Sequence, residues 1–328
     1  MPKHLFIINP VAGGEDSAAA LRARIIALMG ARREPEYLIG RTTHPGHAAE
    51  LVREHTADGC DWRVYACGGD GTLNEVACAA AGLAHVAVTH CPCGTGNDFI
   101  KIFGAGAARF SELSELVDGT VLSLDLIEVD DGTDTVRYAL NIASVGFDAR
   151  VAAEMHRFKR KHARLSAKRH YDLSVVYNLF HGIHRPYEVY IDGVSLPDTR
   201  YTLMLAANGR WYGGGYNPVP EARPDDGMLD FLMAGPVSVF GLARMIGRFS
   251  KGQYGDLPEI FTYARGRRME VVCSGPEPVN VDGEIFMAQR VAFSVAPVKL
   301  NFVAPRGAGW SAESGQLRVE SGKAKAES

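Results

Sequence analysis

The chain has 328 residues, of which 46% are hydrophobic and 22% charged, and its formal net charge is −3. That composition fits a soluble globular protein long enough for two domains with separate cores, and it excludes a strongly basic nucleic-acid binder. No apolar run reaches the roughly 20 residues that span a bilayer. Met1-Pro2-Lys3-His4 leads straight into a strand rather than a signal-peptide core, so the chain reads as cytoplasmic.

Leu5-Phe6-Ile7-Ile8 reads as a buried strand, and the loop Asn9-Pro10-Val11-Ala12-Gly13-Gly14 follows it. Next come a helix carrying Leu21, Ile25 and Leu28, a strand near 36–39, and a helix carrying Ala48, Leu51, Val52 and His55. Arg63-Val64-Tyr65-Ala66 is the third strand, and Leu73, Val76, Ala77 and Ala80 fall at i, i+3, i+4 and i+7 of a helix. Between them lies Cys67-Gly68-Gly69-Asp70-Gly71-Thr72-Leu73-Asn74-Glu75, a glycine loop at a helix N-terminus. Glycines let backbone N–H groups approach a phosphate, and the helix dipole favours its charge. Asp70 alone would repel that phosphate, so its presence implies a cation such as Mg²⁺ between them.

A further loop, Cys93-Gly94-Thr95-Gly96-Asn97-Asp98-Phe99, follows the apolar run Val86-Ala87-Val88-Thr89. Any one of these loops reads equally well as an ordinary tight turn. Three of them at the carboxyl ends of three strands converge on one crevice of an open parallel sheet. Residues 1–123 therefore read as a doubly wound, mainly parallel α/β nucleotide-binding domain.

Residues 124–304 change to short alternating runs such as Tyr187–Ile191, Tyr201–Ala206, Leu229–Met233, Met269–Cys273 and Val291–Val295, punctuated by Asp131-Gly132, Asp192-Gly193 and Asp282-Gly283. This is the pattern of a mainly antiparallel β-sandwich. Two helices interrupt it, one with Leu173, Val176, Tyr177 and Phe180, the other with Val239, Leu242, Ala243, Ile246 and Phe249. Residues 305–328 are rich in Ser, Gly, Glu and Lys and read as a mostly mobile tail with an early contact through Trp310. Cysteines 60, 67, 78, 91, 93 and 273 lack zinc-site spacing and read as reduced thiols. The histidines form no helix-spaced ligand pair.

With both halves in view, the chain resembles the soluble bacterial diacylglycerol kinases, whose fold is shared with sphingosine and ceramide kinases. GGDGTLNE, GTGNDF and the loop from Asn9 to Gly14 resemble the family's nucleotide loops. Asn141 to Asp148, Ala207-Asn208-Gly209 with Gly213 to Gly215, Pro224 to Asp230 and Val281-Asp282-Gly283-Glu284 resemble its later segments. GGDGT by itself also resembles NAD kinases and phosphofructokinases.

The resemblance implies ATP lying across Asn9, Pro10, Ala12, Gly13, Thr42, Gly68, Gly69, Gly71, Thr72, Asn74, Glu75, Gly94, Thr95 and Asn97. It implies Asp282 and Glu284 as a catalytic carboxylate pair working with Asp70, with the choice of proton acceptor open. It also implies a structural magnesium on Asp226 and the backbone carbonyls of Arg223 and Met228, where the sequence alone reads a hairpin turn. Ala12 departs from the serine of many relatives and removes one hydroxyl contact.

The expected activity is ATP- and Mg-dependent phosphorylation of a membrane lipid such as diacylglycerol, giving phosphatidic acid. A kinase of a soluble substrate such as NAD and a non-catalytic nucleotide sensor remain as alternatives, and a homodimer is left open. Residues 157–169 carry seven fixed positive charges and no acid. They read either as a docking patch for the anionic inner face of the membrane or as a solvated helix face. Without interleaved aromatics they do not suggest nucleic acid.

Overall fold

The computed structural model describes residues 2–32, 36–161, 167–197 and 200–310. Residues 311–328 of the segment read as a tail and residues 162–166 of the basic run lie outside the described residues. In the first unit β1 (Lys3–Ile8), β2 (Tyr37–Arg41), β3 (Trp62–Gly68) and β4 (Val86–Pro92) run parallel, linked by α1 (Glu15–Arg32), α2 (His47–Thr56) and α3 (Asp70–Ala80). β1 and β3 are buried almost throughout, as expected for strands covered on both faces. A 3₁₀ stretch, Phe99–Ser111, and the short α4 (Leu113–Val117) lead to β5 (Thr120–Leu124).

The second unit contains β6 (Ile127–Asp130), β7 (Arg137–Ala139), β8 (Ile142–Gly146), β9 (Arg185–Ile191), β10 (Val194–Ser195), β11 (Arg200–Tyr201), β12 (Leu203–Ala207), β13 (Leu229–Ala234), β14 (Phe261–Gly266), β15 (Arg268–Val281) and β16 (Glu284–Val295). All its pairings are antiparallel, along the path β14-β13-β12-β8-β15-β16-β6-β7. The long β15 serves two partners: Met269–Cys273 pair with β9 and Val279–Val281 with β8, on either side of a register break. Its inward side chains join one core with Val145, Val189, Met204, Phe231 and Phe293. Helices α5 (Phe147–Lys161), α6 (Ala167–Phe180) and α7 (Val239–Phe249) belong to this unit, and α7 packs through Leu242, Met245 and Phe249 on a further core.

The last strand, β17 (Leu300–Ala304), read from the sequence as the end of the β-rich unit, lies in the first sheet, whose order is β2-β1-β3-β4-β17-β5. It runs parallel to β4 and antiparallel to β5. Phe302 explains the placement, because it packs against Phe99, Phe103 and Phe110 with ring centroids 5.3, 6.1 and 6.1 Å away. The chain beyond it is also docked. The Arg306 carbonyl accepts from Arg109 at 2.8 Å, and Trp310 packs on Phe103 in a tilted arrangement and donates to Asp225 at 2.7 Å.

Asp125, 0% exposed, sits where the chain passes between the units. Its carboxylate accepts from Gly227 N at 2.8 Å and pairs with Lys299, and its own N–H donates to the Pro224 carbonyl at 2.6 Å. Removing the lysine strands a buried charge. Fully buried pairs lose about 3–5 kcal/mol when broken, and Lys299 is half exposed, so Lys299→Met should lower unfolding free energy by about 2 kcal/mol in urea titrations. Lys299→Arg should recover most of that.

Candidate active site

Hydrogen bonds lace the three glycine loops together. Asn9 N donates to the Cys67 carbonyl at 2.9 Å, Cys93 N to the Gly68 carbonyl at 2.8 Å, and Thr42 N to the Ile8 carbonyl at 3.0 Å. The Asn9 amide donates to Thr72 Oγ1 at 2.9 Å and its Oδ1 accepts from Val11 N at 3.0 Å. The glycines are required by space: a Cβ on Gly68 would collide with the Thr72 side chain, and one on Gly94 would lie 2.7 Å from the Gly69 Cα. Gly13, at φ +85°, meets the Cys93 carbonyl.

Asp70 opens α3 and turns its carboxylate onto the loop that carries Gly96 and Asp98. Its Oδ1 accepts from Asp98 N at 2.6 Å. Burial and the neighbouring Asp98 charge push its pKa up. Asp98 is buried, pairs with Lys101 at 2.5 Å and accepts from Gly214 N at 2.7 Å, so it joins the two units directly.

Asp282 lies in the β15–β16 turn with a left-handed φ of 48°. Its carboxylate accepts from the backbone N–H groups of Leu140 at 2.7 Å, Asn141 at 3.1 Å and Ile142 at 2.8 Å. Burial, with a smaller contribution from the Asp70 charge, raises its pKa to about 6 against the opposing pull of those bonds.

The three acids stand at one end of a cavity of about 550 Å³, with Thr95, Asn74 and Asn141 beside them. The other end is apolar, walled by Phe147, Val151, Met155, Leu242, Met245 and Phe249. One acid interrupts that wall. Asp148 accepts from Ser144 Oγ at 2.6 Å through Oδ2, while its Oδ1 is buried without a hydrogen-bond partner.

The residues expected from the sequence divide accordingly. Asp70, Asn74, Thr95 and Asp282 line the cavity. Asn9, Gly13, Gly68, Gly69 and Gly94 build the adjoining loops, with Pro10 and Ala12 in the first, while Thr72 and an exposed Gly71 lie in the first turn of α3. Asn97, at φ 48°, donates to the Gly94 carbonyl at 2.8 Å and shapes its loop. Glu75 is committed elsewhere, accepting from Gly46 N at 2.9 Å and Ala48 N at 3.1 Å at the start of α2. Glu284 is exposed and outside the cavity wall. Asp98, Asn141 and Asp148 were not singled out as site residues, although Asp98 follows Asn97 directly in the second glycine motif.

The three cleft acids do not gather within 4.8 Å of one another; among the described residues only His44, His47 and Glu50 form such a group. A magnesium ion in the cleft would then rest on one or two carboxylates and on phosphate oxygens, its usual arrangement. The 223–228 turn offers a carboxylate and carbonyls, a hard donor set. Asp226 Oδ2 is paired with Arg265 at 2.5 Å and its Oδ1 accepts from Met228 N at 3.1 Å, so an ion there would share the carboxylate with a guanidinium.

Residues 3–129 match the family model of the diacylglycerol kinase catalytic domain, and residues 141–304 match that of the YegS C-terminal NAD kinase beta sandwich-like domain. A "Probable lipid kinase YegS-like" of Pseudomonas aeruginosa is 32% identical over 93% of this chain and 95% of its own length. The chain belongs to the diacylglycerol kinase family of lipid kinases. A diacylglycerol kinase of Mycobacterium tuberculosis is 28% identical over 92% of this chain and 94% of its own. The crystal structure of a diacylglycerol kinase from Bacillus anthracis, 19% identical, superposes with a TM-score of 0.66 over 92% of this chain and 96% of its own. The protein is thus a lipid kinase, for which ATP is the phosphoryl donor the family implies, and its two family domains meet at the cavity.

A methyl group on Gly94 would press on the Gly69 backbone, which cannot swing aside as a flexible side chain would. Gly94→Ala should lower kcat/KM for ATP at least about tenfold, as a displaced phosphate cradle loses positioning, while the protein still melts cooperatively. Initial-rate kinetics with varied ATP would check this.

Proposed function

We propose that the protein transfers the terminal phosphoryl group of ATP to a hydroxyl of a diacylglycerol-like lipid, giving a phosphatidic acid and ADP. The observation that carries this reading is the continuity of one cavity, acidic at the glycine loops and apolar beyond them. A soluble acceptor such as NAD would leave that apolar wall unused.

Asp282 is the proton acceptor. With its pKa near 6 it is ionised at neutral pH yet still basic enough to receive the proton. The lipid hydroxyl gives up that proton as its oxygen bonds to the γ-phosphorus and the bond to the ADP oxygen breaks. Glu284 shares the hairpin but is exposed, so the role falls to Asp282 alone. Asp70, raised by burial and by Asp98, would be held ionised by a nearby cation. Magnesium, bound with the nucleotide, would neutralise charge on the triphosphate. A second ion on Asp226 and the carbonyls of Arg223 and Met228 would hold its turn.

Labelled ATP offered with diacylglycerol micelles or with NAD should mark only the lipid; label in NAD alone would overturn the assignment. Asp282→Asn should lower kcat by about a hundredfold to ten-thousandfold, and near wild-type turnover would remove Asp282 as the base. As pH falls below about 6 the wild-type rate should drop about tenfold per unit, because the protonated carboxyl no longer accepts, with a plateau on the alkaline side. A chelator should lower the melting temperature of the wild type but not of Asp226→Ala. Equal melting of the wild type with and without chelator would exclude a structural ion.

A further inference from the structure

Helix α6 carries apolar residues on both sides. Inward, Val175 and Leu179 pack on the core beside the buried His170, Ser174 and Asn178, with Ser174 Oγ donating to the His170 carbonyl at 2.7 Å and the Asn178 amide to the Ser174 carbonyl at 2.9 Å. Its outward positions Leu173, Val176 and Phe180 stand at i, i+3 and i+7 and form one apolar stripe, ending in a Phe180 that is 85% exposed. A helix that serves only its own core keeps its outward face polar. The first turn of α7 repeats the feature with Val239 and a 91% exposed Phe240.

Both helices also wall the cavity, α6 through Tyr171 and α7 through Leu242 and Met245. Beside them α5 ends in the exposed Lys159, Arg160 and Lys161. Phe158 and Arg157 hold that end against α6 on the Tyr177 ring, at 6.2 and 5.6 Å. A cation cluster next to an apolar stripe complements an anionic bilayer, headgroups and acyl boundary together. A second copy of the chain would bring the same cation cluster to the contact, with no headgroups to neutralise it.

We propose that α6 and the first turn of α7 are the surface on which this kinase lies on an anionic membrane. The apolar stripe enters the acyl boundary and the end of α5 meets the headgroups. The choice of a bilayer as partner rests on the lipid-substrate reading above. The surface places the cavity mouth at Tyr171 against the leaflet that supplies the substrate.

Co-sedimentation with phosphatidylcholine vesicles, with and without phosphatidylglycerol, tests the surface without needing turnover. Wild type should favour the anionic vesicles. Val176→Ser combined with Phe180→Ser should lose about tenfold in partitioning, and Lys159→Gln with Arg160→Gln and Lys161→Gln should lose the anionic preference. Both variants should phosphorylate a water-soluble short-chain diacylglycerol at the wild-type rate and a vesicle-embedded one more slowly. Equal partitioning of wild type and serine variant would overturn the proposal, as would a wild-type dimer that the serine variant turns into a monomer while neither binds vesicles. Docking that responds as expected in a protein that phosphorylates no lipid would instead sink the substrate reading alone.

Discussion

Three consecutive backbone N–H groups, from Leu140, Asn141 and Ile142, converge on the carboxylate of Asp282, and the geometry of the cleft depends on that convergence. The aspartate sits in a left-handed conformation that disfavours any side chain, and the bonds offset the strain. They pin the β15–β16 turn to the start of β8, so the acid faces the glycine loops from a fixed direction. They also restrain its basicity, because burial lifts the pKa while each donated N–H lowers it.

Around that anchor, space and charge are divided sharply. The loops approach one another so closely, Gly69 against Gly94 and Gly13 against the Cys93 carbonyl, that side chains are excluded and backbone lines the phosphate side. Beside them, Asp70, Asp98 and Asp282 share a partly buried region in which the Asp98 charge raises the pKa of Asp70 and the Asp70 charge that of Asp282. Elsewhere the wall of the same cavity is apolar. A site with this contrast favours a molecule that is anionic and metal-loaded at one end and oily at the other.

Much of the first unit was legible because its signals are local. Leu5 to Ile8 and Arg63 to Ala66 read as buried strands, and the glycine loops stand where those strands end. The second unit was legible as a class, through alternation and Asx-Gly turns, but not in its assembly: nothing in the alternation of residues 268–281 says that one strand serves two partners. The crossing of β17 into the first sheet was invisible because Leu300–Ala304 looks like any buried strand, and its partners β4 and β5 lie some two hundred residues upstream. Glu75 shows a contact that the motif does not announce. It stands inside a nucleotide motif, yet its carboxylate caps α2, an interaction set by a loop whose approach the motif does not encode. The cavity wall escaped notice because Phe147, Leu242 and Phe249 are ordinary core residues until three helices are arranged around an opening.

The placement of β17 also bears on how the molecule is made. Synthesis delivers β1 to β5 early, but β4 keeps a bare edge and β5 has no neighbour in the sheet until residues 300–304 leave the ribosome. The amino-terminal half therefore waits, with an open and sticky border, for nearly the whole polypeptide to be translated. The two units are consecutive in structure but interlocked in time, and a nascent chain halted between them would hold every phosphate-binding motif without a closed sheet to carry them.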